Sequence, residues 1–193
     1  MGAMIDYDLQ LTGNPDADRL LSTNPLALVM GSLLDQQVPM ESAFAGPQKL
    51  YERIGSLEAE TIAAYDPDEF LAVFRQSPAV HRFPGSMAQR VQNLASVIVD
   101  EWAGKAERLW TEDDPTGAEV LKRLKKLPGF GEQKAKVFLA LLGKQCGFTG
   151  EGWQDAAEPY GDEAVMLSIA DVTSPETLQQ VRDNKKAAKA KQK

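Results

Sequence analysis

Apolar residues recur along this chain at intervals of three and four, and no stretch sustains the alternation of a half-buried strand, so the pattern predicts helix after helix. A short first helix is expected over 16–22. Asn24-Pro25 then gives a start signal, with Asn24 as N-cap and Pro25 at the first helical position. The second helix, PLALVMGSLLDQQ, is apolar on nearly every side and belongs in a core; it stops before Val38-Pro39, because the residue preceding a proline is pushed out of the α region. A third helix is predicted over 40–54, kinked at Pro47, with shorter ones over 57–65 and 67–75. After the loop SPAVHRFPGS comes a long amphipathic helix from Met87, with Val91, Leu94, Ala95, Ile98 and Trp102 on one face. Thr116 is placed to cap a helix over 117–127, and another starts near Glu132 with Ala135, Phe138, Leu139 and Leu142 on its apolar side. The expected fold is all-α.

Composition narrows the classes. With 193 residues, 43% hydrophobic and 25% charged, the chain suits a single unit of two helical lobes sharing a core. We expect that unit over 1–180 and a basic C-terminal tail over 181–193. The longest apolar runs, LALVMG and VFLALLG, fall far short of the ~18 residues that span a bilayer. MGAMIDYDLQ has neither the basic nor the apolar region of a secretory signal, so a cytoplasmic location is expected. One cysteine, Cys146, and one histidine, His81, leave no material for an internal disulfide, a four-cysteine iron–sulfur cluster or a zinc cluster. No metal or cofactor is expected, and Cys146 reads as a small half-buried filler.

Charge changes the picture. A net −7 argues against a polyanionic partner, yet residues 121–145 hold seven bases against one acid, and residues 182–193 hold six bases against one acid. This is an acidic body with two basic patches, and a local patch can meet phosphate whatever the total. The first patch frames the most specific segment of the chain, LKKLPGFGEQKAKVFLALLG. A basic helix ends at Leu127, Pro128 to Gly131 make a tight turn, and a second helix follows. Glycines at 129 and 131 allow backbone conformations and a close approach that side chains would block, leaving unpaired amides at the second helix's start facing an anion such as a phosphodiester. Lys134 and Lys136 after the turn, and Lys125 and Lys126 before it, add charge.

That hairpin resembles the helix–hairpin–helix (HhH-GPD) DNA glycosylase superfamily of base excision repair, including endonuclease III and 3-methyladenine glycosylases. The family hairpin is LPG-x-G with an alanine beyond it, matched here by Leu127, Pro128, Gly129, Gly131 and Ala135. Two further segments, LVMGSLLDQQVPMESAFAGPQKLYERIG and RFPGSMAQRVQNLASVI, are similar to the family's early helix–turn–helix and to the turn before a later helix. The resemblance implies a two-lobed helical fold, a double-stranded DNA partner with no obligate protein partner and no membrane, and a phosphate held at Gly129, Phe130, Gly131 and Gln133. It also implies that Gln36 or Gln37 enters the gap left by an extruded base. Bifunctional members carry a lysine two residues after the second turn glycine. Here that position is Gln133, which forms no Schiff base; Lys134 beside it is turned about 100° around the helix. The implied enzyme is a monofunctional DNA N-glycosylase, a hydrolase without the lyase lysine.

The family's catalytic aspartate sits after the second hairpin helix in a string such as V-D-T-H, which is absent here. In GKQCGFTGEGWQDAAEPYGDE the acid selected is Asp155, with Glu151 and then Asp171 as alternatives, and Trp153 as a residue that could stack on a base. His81 and Arg82 could contact phosphate or an extruded base. Asp35 adjoins the wedge, where facing phosphate would repel it; lining the pocket or capping the turn remain. Two other readings stay open: a non-catalytic module of the same fold that recognises damaged or distorted DNA, and a helical protein-interaction domain.

Overall fold

The computed structural model describes residues 5–191; Met1 to Met4 of the N-terminal stretch and the last two residues of the basic run, Gln192 and Lys193, lie outside them. Local chemistry starts the helices where the sequence placed its signals. Asn14 accepts hydrogen bonds from the Asp16 and Ala17 amides to open α1 (Pro15–Thr23), and Asn24 accepts from the Ala27 amide at 3.1 Å to open α2 (Pro25–Leu34). Asp66 caps α5 (Pro67–Arg75), and Thr116 with Glu119 forms a reciprocal capping box on α8 (Gly117–Lys125). Between these lie α3 (Met40–Ile54), with Pro47 inside it, α4 (Ala59–Ala64), α6 (Pro84–Trp102) and the short α7 (Arg108–Thr111). The chain continues with α9 (Glu132–Gln145), α10 (Trp153–Ala156), a 3-10 turn (Ile169–Asp171) and α11 (Pro175–Lys191). No strand occurs among the described residues.

The all-α expectation holds, and the architecture is two-lobed. In one lobe α4 and α5 pack against α6, and α3 packs against α5 and α1; in the other α8, α9, α10, the 3-10 turn and α11 pack together. Helix α2 lies between them, touching α3 and α6 on one side and α9 on the other, and every residue from Leu26 to Leu34 is buried. This explains its nearly uniform apolarity, since a helix with neighbours all round has no solvated face to make polar. The second lobe is anchored by Phe138 of α9, which meets Trp110 at 5.7 Å and Phe130 edge-on at 6.3 Å.

Three departures from expectation affect the site. Helix α2 ends at Leu34 rather than running on to Gln37. Helix α6 begins at Pro84, ahead of Met87. The C-terminal basic run is the second half of α11, which starts at Pro175 and is docked: Val181 is fully buried, Arg182 pairs with Glu41 of α3, and Asn184 donates to the Met166 carbonyl at 2.9 Å.

Candidate functional site

The hairpin joins α8 to α9 through two glycines with different jobs. Gly129 stands at φ +80°, a left-handed conformation, and a Cβ there would lie 2.3 Å from Leu33 Cδ1. Its bare Cα lets the hairpin press against α2. Phe130 turns inward and is buried, its amide bonded to the Leu127 carbonyl at 3.1 Å. Gly131, the N-cap of α9, has ordinary extended backbone (φ −84°, ψ −178°), and nothing lies within 4 Å of where its Cβ would stand. No side chain caps α9, so the first amides of this helix lack both an intrahelical acceptor and a substitute for one. They open onto solvent beside a cleft.

That cleft, about 470 Å³, lies between the end of α2 and the start of α9, with Asp35, Gln36, Gly131, Gln133 and Lys134 on its walls and Lys185 of α11 at its rim. Gln133 and Lys134 both line it, so the turn of the helix between them does not carry Lys134 away from the hairpin's working face. Lys134 is instead drawn inward, its Nζ donating to the Leu33 carbonyl at 2.9 Å near the end of α2. Burial lowers this amine to about 8, partly opposed by Asp35, while the Arg90 charge lowers it further. Burial raises the Asp35 carboxyl, with Lys185 and Lys134 drawing it back. Two acids, Asp35 and Glu132, and two amines, Lys134 and Lys185, thus face one cavity, and Asp35 is the acid whose carboxyl burial shifts. Lys136 lies further along α9, 3.8 Å from Glu132.

The turn carrying the glutamines is held from a distance. His81 is buried at 3% exposure, with Nε2 3.0 Å from the Leu34 carbonyl and 3.2 Å from that of Gln36, while Nδ1 accepts the Phe83 amide at 3.0 Å. These partners place the proton on Nε2, and burial lowers the ring's pKa. Rather than facing out from the loop, His81 spends both ring nitrogens on three backbone groups, which ties the turn after α2 to the chain before α6. Arg82 stays exposed, stacked over Phe83 at 5.4 Å. Gln36 turns inward, Nε2 3.8 Å from the Met87 sulfur, whereas Gln37 is exposed at φ +60°.

The acids selected from sequence sit elsewhere. Trp153 covers Gly143, twelve residues beyond Gly131 and so about 18 Å along α9 from the hairpin. Asp155 and Glu151 are exposed beside it, and none of the three lines the cleft. Trp153 is half-buried packing between α8 and α9 rather than a platform next to the hairpin. Asp171 is committed to structure: it accepts from Lys144 at 2.5 Å and from the Leu167 amide at 3.1 Å. Arg123, within the first basic patch, donates to the Leu109 and Glu112 carbonyls and stacks on Trp102. Of the two places the sequence leaves to Asp35, the pocket wall and the turn, the structure puts it on the wall of the cleft. Lys185 belongs to the basic run that the sequence marks over 182–193, but only the docking of α11 brings it to the cleft. Among the described residues no group of three or more histidines, cysteines or acids is placed to hold a metal ion, and no helix is long and apolar enough to cross a membrane.

Residues 30–192 match the HhH-GPD superfamily base excision DNA repair protein family. No curated protein matches. Among solved structures, the chain is similar to a trapped endonuclease III–DNA covalent intermediate in an estranged-adenine complex, with 22% identity and TM-score 0.44 over 59% of this chain and 46% of that one. It is also similar to a thermostable thymine-DNA glycosylase (12% identity, TM-score 0.42, 63% and 55% covered) and to a non-covalent endonuclease III–DNA complex (19%, 0.48, 84% and 67%). The chain thus spans about half the length of the first two.

Proposed function

The chain belongs to the HhH-GPD superfamily of base excision DNA repair proteins, and from that membership we propose that it binds duplex DNA and removes a damaged base by hydrolysing its N-glycosidic bond. The observation that carries this reading is the cleft itself, where the half-buried Asp35 carboxyl, two amines and an uncapped helix start bearing Glu132 converge. In this reading the Gly129–Gly131 backbone and the first amides of α9 hold a phosphate, with Lys136 adding charge. The damaged base leaves the stack and enters the cleft. Gln37, exposed on its pinned turn, fills the vacancy, with Gln36 behind it.

Asp35 is the acid of this proposal. A carboxylate near the sugar stabilises the positive charge that grows as the bond to the base breaks, and it can take the proton of the attacking water. Its raised pKa makes it a better base than an exposed carboxylate. Gln133, in the register where bifunctional relatives carry an amine, supplies no nucleophile, so base release falls to water. Asp155, the acid the sequence pattern selects, serves as the comparison.

The test is single-turnover base release from a panel of lesion-bearing duplexes, read after alkali cleavage, for wild type, Asp35→Asn and Asp155→Asn, with duplex binding titrated in parallel. Release lost in Asp35→Asn and kept in Asp155→Asn is expected; the reverse moves the acid to α10. The exposure of Asp155 far from the cleft favours one other reading, a recognition module that binds distorted duplex without cutting it. Binding with no release from any lesion would favour that module.

A further inference from the structure

The two basic runs of the chain, 121–145 and 182–193, are separate in sequence, and the remainder is net acidic. The fold brings both runs to one cleft, where Lys134 of α9 and Lys185 of α11 share the walls. The first run is largely engaged by the protein itself. Arg123 donates to backbone carbonyls, Lys134 donates to the Leu33 carbonyl, Lys125 and Lys136 pair with Glu132 at 3.9 and 3.8 Å, and Lys144 pairs with Asp171. The other two bases, Lys122 and Lys126, line a different surface pocket with Glu101 and Glu119. Glu132 also sets a negative charge in the first turn of α9, where it opposes an approaching phosphate. A phosphate at the hairpin therefore meets little free positive charge from α8 and α9.

Helix α11 supplies that charge. At 100° per residue, Arg182, Lys185, Lys186 and Lys189 fall within a stripe of about 100° around it. Arg182 is held by Glu41. Lys185, Lys186 and Lys189 are exposed, and none of the three forms a salt bridge among the described residues. The stripe is also fixed in place, because buried Val181 and the bond from Asn184 to the Met166 carbonyl anchor another side of the helix. Binding there does not have to order the helix first. Lys189 stands about 6 Å beyond Lys185 along the axis, so the charge continues past the rim of the cleft. We propose that Lys185, Lys186 and Lys189 form a second phosphate-binding element, which takes the sugar–phosphate backbone of duplex DNA on α11 while the hairpin takes it at α9. The inference rests on the reading that this cleft faces DNA, not on base removal. Backbone contacts carry no sequence information, so the element adds affinity and orientation for any duplex, and it acts by releasing counterions.

Fluorescence anisotropy of a short fluorescein-labelled duplex, titrated with the full chain between about 50 and 200 mM potassium chloride, reads the counterions released. Each phosphate contact steepens the slope of log affinity against log salt by ~0.9, so Lys185→Gln with Lys189→Gln should flatten it by about 2. Across that range wild type should lose roughly tenfold more affinity than this double variant. Arg75→Gln with Lys105→Gln removes the same charge from exposed positions on α5 and after α6, and should leave the slope within about 0.5 of wild type. Glutamine is close to lysine in helix propensity, and urea midpoints check that both variants fold. The duplex should also protect Lys185 and Lys189, but not Lys105, from acetylation mapped by peptide mass. Equal flattening in the two double variants, or none in either, overturns the proposal. The outcomes also separate it from the reading it rests on. Wild type that binds no duplex removes both; binding whose slope ignores Lys185 and Lys189 removes this inference alone; an α11-dependent slope without base release from any lesion removes the glycosylase reading alone.

Discussion

Gly131 offers the sharpest separation of structure from function. As the N-cap of α9 it has the extended backbone that serine favours at such positions, no steric neighbour, and no side chain to satisfy the helix's first amides. Nothing inside the protein asks for glycine there. Gly131→Ser should therefore stabilise the fold by about 1 kcal/mol, a few tenths from the cap and ~0.4–1 from reduced freedom of the unfolded chain. In a chain of this size that is a Tm rise of roughly 2–4 °C. The same hydroxymethyl group takes an amide that a phosphate would use and stands in the phosphate's space. Losing a hydrogen bond to a charged group costs ~1.5–3 kcal/mol, so duplex affinity should fall roughly tenfold to a hundredfold at fixed salt. Urea unfolding and fluorescence anisotropy on a labelled duplex read the two effects. A stabilised variant that binds DNA within about twofold of wild type, ~0.4 kcal/mol, would refute the placement of the phosphate at this helix start.

Gly129 should respond in the opposite sense: Gly129→Ala combines ~1–2 kcal/mol of left-handed strain with overpacking against buried Leu33, a loss of about 2–4 kcal/mol in urea unfolding. Since burial lowers the His81 pKa in the folded chain, the unfolded state binds the extra proton first; stability is full above the ordinary imidazole range and falls as pH drops through it towards the folded value. That slope, measured as unfolding free energy from about pH 7 to pH 5, should be shallower in His81→Gln than in wild type, while the contribution of Lys134 nearer pH 8 stays in both. Arg182→Ala leaves Glu41 half-buried without its partner and should cost about 1–2 kcal/mol, between exposed and buried pairs, with Glu41→Gln recovering part of it in the double variant. Equal losses in the single and double variants would place the effect in helix packing instead.

Helix boundaries set by local chemistry are legible along the chain itself: the Asn24-Pro25 start, the Thr116 cap and the hairpin at 127–131 depend on neighbours within four residues, where side chain and amide meet by geometry alone. The end of α2 is not, because the carbonyls of Leu34 and Gln36 are claimed by His81, about 45 residues on, and no local pattern reports a partner at that separation. The same limit governs the acids. Asp155 is selected in sequence by its place after a glycine-rich loop, yet it neighbours Trp153, which covers Gly143 about 18 Å along α9 from Gly131, while Asp35 lines the cleft.

Sequence alone determined an all-α chain, a two-glycine helix–hairpin–helix and the absence of an amine at position 133, since each follows from residue type and short spacing. Tertiary structure alone decided which groups share a cavity. Lys134 enters the cleft because the end of α2 offers it a carbonyl, Asp35 because that helix stops three residues early, and Lys185 because α11 docks through Val181 and Arg182. Burial then makes the chemistry, shifting an ordinary carboxylate upward and an ordinary ammonium downward towards neutrality, a change that depends on what surrounds the groups and that no reading along the chain contains.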